Sequence, residues 1–205
     1  MSEIEEKIRT PRQNRSIKTK EAITEAAMKL FSEKGYHQTN TKEIAAAAGV
    51  STGSFYSYFI DKRAVFIDVL NIYNEALLSQ IKTSLAETDL DQLDKSALIV
   101  HLVDTLIESH QVYTGFHKEL AVMVLMDEGI RQLMEEQYEL GRQLTLQYLQ
   151  QGQKEIKTSD LEATSVVIFE STGVIVDKIA FSPGKISPDR LKSQLVQMIT
   201  DYLYK

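Results

Sequence analysis

Ser51-Thr52-Gly53-Ser54-Phe55-Tyr56-Ser57-Tyr58 is a run of hydroxyl-bearing and slender residues interrupted by one large apolar ring, Phe55. As a short helix it presents hydrogen-bonding groups on a narrow surface, which fits a DNA major groove about 12 Å wide without a steric barrier. The residues before it supply what is needed to hold such a helix across a second one. Ala45 is small enough for helices to cross there, and Gly49 lets the backbone turn without a Cβ penalty. Ile44, Val50 and Phe55 lock the two helices together. Residues 41–58 therefore read as a helix-turn-helix. The second helix holds no Arg or Lys, so strong guanine contacts fall to Lys42 or to the basic N-terminal residues.

Catalytic and metal chemistries find little support. There is no glycine-rich phosphate loop, no G-x-S-x-G and no Ser/His/Asp spacing. The carboxylate pairs Asp127-Glu128 and Glu135-Glu136 are adjacent, so on a helix they point different ways, which is poor geometry for shared acid–base work. Cysteine is absent, which excludes disulfides, thiolate ligands and cysteine nucleophiles. His101, His110 and His117 include no tight His-x-x-x-His pair, and Gly115 lies between the last two. The expectation is a protein that is not an enzyme, with no metal and no cofactor.

The elements around this segment are helical. Glycine and proline together number 12 of 205 residues, about half the usual share. Residues 1–15 are polar, charged and aperiodic, and read as a flexible basic arm. A helix begins at Ser16 or Thr19, buries Ile23, Ala26, Ala27, Leu30 and Phe31, and ends at Gly35. Asn40 with Glu43 forms a capping box for the next helix, which stops at Gly49. Ser51 caps the third, to about Tyr58, and Asp61 caps a long fourth carrying Phe66, Leu70, Tyr73, Leu77 and Ile81 on one face. Further helices are expected over about 91–112, 116–127, 130–152, 160–181 and 188–202. The stretch 160–181 is apolar nearly all round, so burial on every side is expected, and Ser187 with Pro188 starts the last helix. The sum is an all-α fold of about nine helices. Its parts are an arm (1–15), a helix-turn-helix domain (16–64) and a helical C-terminal domain (65–205).

Charge divides along the same line. The net charge is −6, yet residues 1–63 hold 11 Lys+Arg against 8 Asp+Glu, and residues 64–205 hold 12 against 21. Residues 7–20 contain Lys7, Arg9, Arg12, Arg15, Lys18 and Lys20 and no acidic residue. A basic N-terminal part on an acidic body suits a polyanion met at one end. A solvated basic tail accounts equally for the charge alone. No apolar run approaches 18 residues and the start MSEIEEKIRT has no apolar core, so no membrane span or signal peptide is expected, and a cytoplasmic location is.

The stretch from Thr41 to Phe59 with Lys62, preceded by Leu30-Phe31, Gly35-Tyr36 and Thr39, resembles the N-terminal signature of the TetR family of transcriptional regulators over residues 19–66. The resemblance implies a homodimer that places two recognition helices in successive major grooves of a near-palindromic double-stranded operator. It implies phosphate contacts at Thr41 and Lys62, with Tyr58 near the phosphates, and base-facing positions at Lys42, Thr52, Gly53, Ser54 and Tyr56 beside the cap Ser51. It also implies a C-terminal domain that dimerises and binds an effector. The last two helices carry enough apolar surface to serve as dimer elements.

An effector pocket draws on aromatic and flexible residues with a few polar groups, and the candidates are Tyr113, Phe116, His117, Met123, Met126, Tyr138 and Phe169. Glu170 joins them because a carboxylate inside an apolar run is costly unless paired. The expected function is a sequence-specific repressor released by a small molecule. The alternative is a TetR-like DNA-binding protein without a metabolite effector, controlled by DNA or a protein partner.

Overall fold

The computed structural model describes the backbone of residues 2–87, 94–112, 114–182 and 184–204, with side chains for all of these except 2–14, 85–87 and 112. Among the described residues there are nine α-helices and no strand: α1 Ser2–Lys34, α2 Thr41–Ala47, α3 Thr52–Tyr56, α4 Lys62–Glu87, α5 Lys95–Val112, α6 Thr114–Met126, α7 Glu128–Gln151, α8 Leu161–Phe181 and α9 Pro188–Leu203. The all-α architecture expected from the scarcity of breakers is present. The chain divides into two compact units, Met1–Tyr73 with Gly115–Leu120, and Asn74–Thr114 with Ala121–Lys205.

The first unit begins with a helix longer than composition suggests. α1 is helical from Ser2, so the segment expected to be an aperiodic arm continues the helix. Its Glu, Lys, Arg and Gln residues have good helix propensity, and it contains no glycine. Farther along, Ile23, Ala27 and Phe31 are fully buried on the expected face. Phe31 packs against Phe66 at 5.4 Å between ring centroids, and Phe66 packs against Phe116 at 5.1 Å. Val65, Phe66, Val69, Leu70 and Tyr73 are all buried. This cluster carries the unit past residue 64, where a domain boundary is expected, and draws in the first turns of α6. Gly115 was expected to separate two helices but lies inside α6. A Cβ there would meet Cβ and the carbonyl oxygen of Ser32 at 2.7 Å, so glycine is needed for close approach to α1.

In the second unit, Ile99 and Val103 of α5, Leu149 of α7, Ile156, and Leu195, Val196, Ile199 and Leu203 of α9 form one buried cluster, joined by Ile168 and Ile175 of α8. The expectation that α8 is buried on every side does not hold within one chain: Val166, Val167 and Val174 are exposed, Val174 at 65%. Within the unit α8 packs along one side of its surface, which leaves an apolar stripe uncovered. α9 starts at Pro188 with Ser187 in the N-cap position, although the Ser187 side chain makes no capping hydrogen bond. Asp127 and Asp160 do cap α7 and α8, through the amides of Ile130 at 3.1 Å and Ala163 at 3.0 Å.

Candidate nucleic-acid interface

The two short helices form where the local sequence stops longer ones. The Asn40 side chain accepts from the Glu43 amide at 3.0 Å while Glu43 accepts from the Asn40 amide at 3.2 Å, completing the expected capping box. Lys34 donates to the same carboxylate at 2.7 Å, and these two donors hold Glu43 below the ordinary carboxyl pKa. Gly49 takes φ +69° and Gly35 φ +86°, both in the left-handed region where a side chain is strained. Ser51 accepts from the Ser54 amide at 3.0 Å and so starts α3. Ile44, Ala45, Phe55 and Phe59 are buried beneath, with Phe55 and Phe59 in contact at 5.9 Å.

This core sets which side chains α3 turns outward. Gly53, Tyr56 and Ser57 are exposed, Thr52 and Ser54 are half-buried, and Lys42 is exposed on α2. Tyr56 stands 52% exposed, edge-on to Phe55, and its hydroxyl meets that of Thr41 at 3.1 Å. Tyr58 is half-buried and accepts a hydrogen bond from Ser16 of α1 at 3.3 Å. The geometry thus brings Thr41, Lys42, Ser51, Thr52, Gly53, Ser54, Tyr56 and Tyr58 onto the α2–α3 element, with the Phe55 and Phe59 rings inward.

Lys62 is placed differently from a free phosphate contact. Its ammonium donates to the carbonyl oxygens of Tyr36 at 2.6 Å and Thr39 at 2.8 Å and lies 4.1 Å from the centre of the Tyr36 ring. Partial burial pushes its pKa down, and the negative charge of Glu119 opposes that. Glu119 accepts from the Tyr36 amide at 2.6 Å. Lys62 from α4 and Glu119 from α6 therefore fasten the α1–α2 loop from two helices.

The family model for bacterial regulatory proteins of the tetR family matches residues 23–69, which span α2, α3 and the start of α4. That segment of the chain is similar to the DNA-binding region of TetR-family regulators. It is 42% identical over 59 residues to YuxN of Bacillus subtilis, described as an uncharacterized HTH-type transcriptional regulator, covering 29% of this chain and 20% of that one. It is 27% identical over 115 residues to the HTH-type transcriptional regulator UidR of Escherichia coli K12, covering 55% and 53%. The matched region thus spans about half or less of those relatives' lengths. Among solved structures, the fatty acid degradation regulator FadR of Bacillus halodurans has a TM-score of 0.68 at 22% identity, covering 88% of this chain and 93% of that one. A regulator from Saccharomonospora viridis solved with choline has a TM-score of 0.71 at 16% identity, covering 91% and 97%. At these identities the likeness is one of fold. Both of these sequence relatives are described as HTH-type transcriptional regulators.

The fold does not gather the effector candidates into one place. Tyr113 lies outside the described residues. Phe116 and His117 belong to the first unit, where Phe116 is core and His117 Nδ1 pairs with the Tyr73 hydroxyl at 3.1 Å. In the second unit Met123 is buried core and Met126 is exposed. Tyr138 and Phe169 meet edge-on at 6.2 Å, and Glu170 accepts from Arg142 at 3.0 Å. Burial raises the Tyr138 pKa, and the charges of Asp177 and Glu170 add to that. Tyr138, Phe169 and Glu170 are the candidates brought together.

His101 meets the Ser84 hydroxyl at 2.7 Å, and His110 Nε2 lies 3.7 Å from Asp177. Among the described residues no group of three His, Asp or Glu side chains is placed to hold a metal ion, and no helix is long and apolar enough to cross a membrane. Sequence reasoning missed Glu119, whose partner lies 83 residues away, and Ser16, which sits 42 residues from Tyr58 in a segment whose composition suggests an arm.

Proposed function

We propose that the protein is a sequence-specific transcriptional regulator that binds a near-palindromic duplex as a homodimer. The observation that carries this reading is the polar face of α3 and its C-cap (exposed Gly53, Tyr56 and Ser57, with half-buried Thr52 and Ser54 beside them) on a capped α2–α3 pair whose core is closed by Ile44, Ala45, Phe55 and Phe59. A helix of that width and polarity fits the major groove. Lys42, Ser51, Thr52, Gly53, Ser54 and Tyr56 are the base-facing set, and Thr41 and Tyr58 the backbone-facing set. Dimerisation through α8 and α9 is supported by the uncovered Val166, Val167 and Val174 together with exposed Met198 and Tyr202.

The regulator acts as a repressor that a small molecule releases, with effector recognition on Tyr138, Phe169 and Glu170. The choline-bound Saccharomonospora regulator, which shares the fold, supports a small-molecule ligand in this architecture. A coupling of about 1–3 kcal/mol between ligand and DNA changes occupancy roughly 5- to 150-fold.

The test is nuclease footprinting on DNA flanking the protein's own gene. Two protected half-sites about one helical turn apart are expected. Thr52→Ala keeps the footprint position but lowers discrimination at one base pair by about 1–3 kcal/mol. Protection with no half-site symmetry, or discrimination untouched by Thr52→Ala, overturns the assignment.

A further inference from the structure

The exposed stripe of α8 follows the three- and four-residue steps of one helix face. It carries Val166, Val167, Glu170, Gly173 and Val174, with Glu162 and Lys178 toward its two ends. The stripe has a centre. Val166 and Val174 stand four residues either side of Glu170, Val167 and Gly173 three residues either side, and Glu162 and Lys178 eight residues either side. A two-fold axis between antiparallel helices sets positions equally far from the axis opposite each other. With the axis at Glu170, each such pair is complementary. Val166 faces the partner's Val174. Val167 faces the partner's Gly173, where an added Cβ would meet nothing within 4 Å in its own chain, so a branched side chain has room. Glu162 faces the partner's Lys178, and neither is ion-paired within its own chain among the described residues.

Parallel pairing about a two-fold axis instead sets each residue against its own copy. Glu162 then meets a carboxylate and Lys178 an ammonium, and Val167 meets a valine while the space at Gly173 stays empty. Charge and volume therefore both favour the antiparallel arrangement.

That arrangement has one liability, because Glu170 on the axis meets its own copy. Two carboxylates brought together out of water are costly unless each is neutralised. Arg142 of α7 supplies the neutralising charge. Its Nη1 donates to Glu170 at 3.0 Å and its Nε to Glu139 at 3.1 Å. Its Nη2 has no partner among the described residues, and a guanidinium carries enough donors to reach a second carboxylate. Two arginines and two glutamates then alternate around the axis with no net charge.

We infer that the uncovered face of α8 pairs antiparallel with α8 of a second copy of this chain about an axis at Glu170, and that Arg142 is the residue that permits it. The inference rests on the dimerisation reading above and adds the register and the device that selects a like partner. A different apolar helix lacks the opposed Glu and Lys ends and the second arginine-bound carboxylate. Glu170 is shared with the effector reading, since Tyr138 and Phe169 meet beside it on α7 and α8, so ligand and partner copy border one carboxylate.

The first experiment measures the dimer dissociation constant of the full chain by analytical ultracentrifugation over a dilution series. Arg142→Met keeps the side-chain bulk and leaves Glu170 facing its copy, and is expected to weaken the dimer about 100-fold or more at unchanged helicity. Adding Glu170→Gln to Arg142→Met removes the repulsion and recovers at least tenfold, which a merely structural role for Arg142 does not produce. The second experiment reads the register and exploits the absence of natural cysteine. Val166→Cys with Val174→Cys in one chain gives a covalent dimer on oxidation, whereas either substitution alone gives none.

A wild-type protein that is monomeric throughout overturns the dimerisation reading and this inference together. A wild-type dimer that Arg142→Met does not weaken, or that Glu170→Gln does not restore, overturns the role of Arg142 and leaves dimerisation intact. A wild-type dimer whose doubly substituted form does not cross-link, or whose Val174→Cys form cross-links alone, overturns the register.

Discussion

Lys62→Met removes an ammonium while keeping most of the side-chain volume, and so separates two roles for this residue. As a loop clamp, Lys62 makes two hydrogen bonds to backbone carbonyls and one cation–π contact with Tyr36. Bonds from a charged donor contribute about 1.5–3 kcal/mol each when well buried. Lys62 is partly exposed, and water can replace it at both carbonyls, so about 0.5–1 kcal/mol each is the better figure. The cation–π contact adds about 0.5 kcal/mol at such a site. The burial that lowers the Lys62 pKa counts against it, leaving a net loss of about 1–2 kcal/mol on substitution. Urea denaturation followed by circular dichroism reads that loss as a lower midpoint at constant slope. Duplex binding read in parallel keeps its salt slope to within a few tenths, since the ammonium is already committed. Unchanged stability with a slope lowered by about one refutes the clamp and makes Lys62 a phosphate contact.

Other consequences are as direct. Gly115→Ala forces a methyl to within 2.7 Å of Ser32, and the steric cost of about 1–3 kcal/mol outweighs a helix-propensity gain of up to about 1 kcal/mol; a midpoint in urea equal to or above wild type contradicts the close approach. Val174→Asp places a charge on the uncovered face of α8 and is expected to turn a dimer into a monomer in light scattering at unchanged helicity, and a persisting dimer refutes the α8 face. Glu43 is held below the ordinary carboxyl value of 4.5 by Lys34 and the Asn40 amide, so its stabilising contribution is full above about pH 4.5 and is lost as pH falls through the lower folded value. The stability difference between wild type and Glu43→Gln is therefore constant near neutrality and shrinks in acid; a difference that grows in acid refutes the sign.

How much of this was legible in the sequence depended on how far apart the interacting residues lie. The α2–α3 element is written locally: Asn40 with Glu43, Gly49 and Ser51 each act within a few residues, and each appears in the structure as expected. The same holds for Asp61, which caps α4 through the Ala64 amide at 2.7 Å. What was not legible depends on distant partners. Gly115 looks like a helix breaker until Ser32 is beside it, and Lys62 looks like a surface cation until Tyr36 and Thr39 turn their carbonyls toward it.

Ser16 and Arg15 were read from composition alone, which describes charge but not which side of a helix a distant tyrosine approaches. The apolar stretch of α8 was read correctly for hydrophobicity, but an apolar face covered by the same chain and one left uncovered have the same sequence signal. Effector candidates chosen by residue type mixed two core residues, Phe116 and Met123, with an outward-facing methionine, Met126, because type does not report which face a helix buries.

The central claim is that the polar face of α3 reads a specific DNA sequence. Fluorescence anisotropy of the purified protein with the duplex upstream of its own gene, against a scrambled duplex of equal length at about 150 mM salt, tests it most directly. The account predicts nanomolar binding to the native duplex, some 10³-fold or more tighter than to the scramble. Equal binding to both, or no binding to either as salt is lowered, contradicts it.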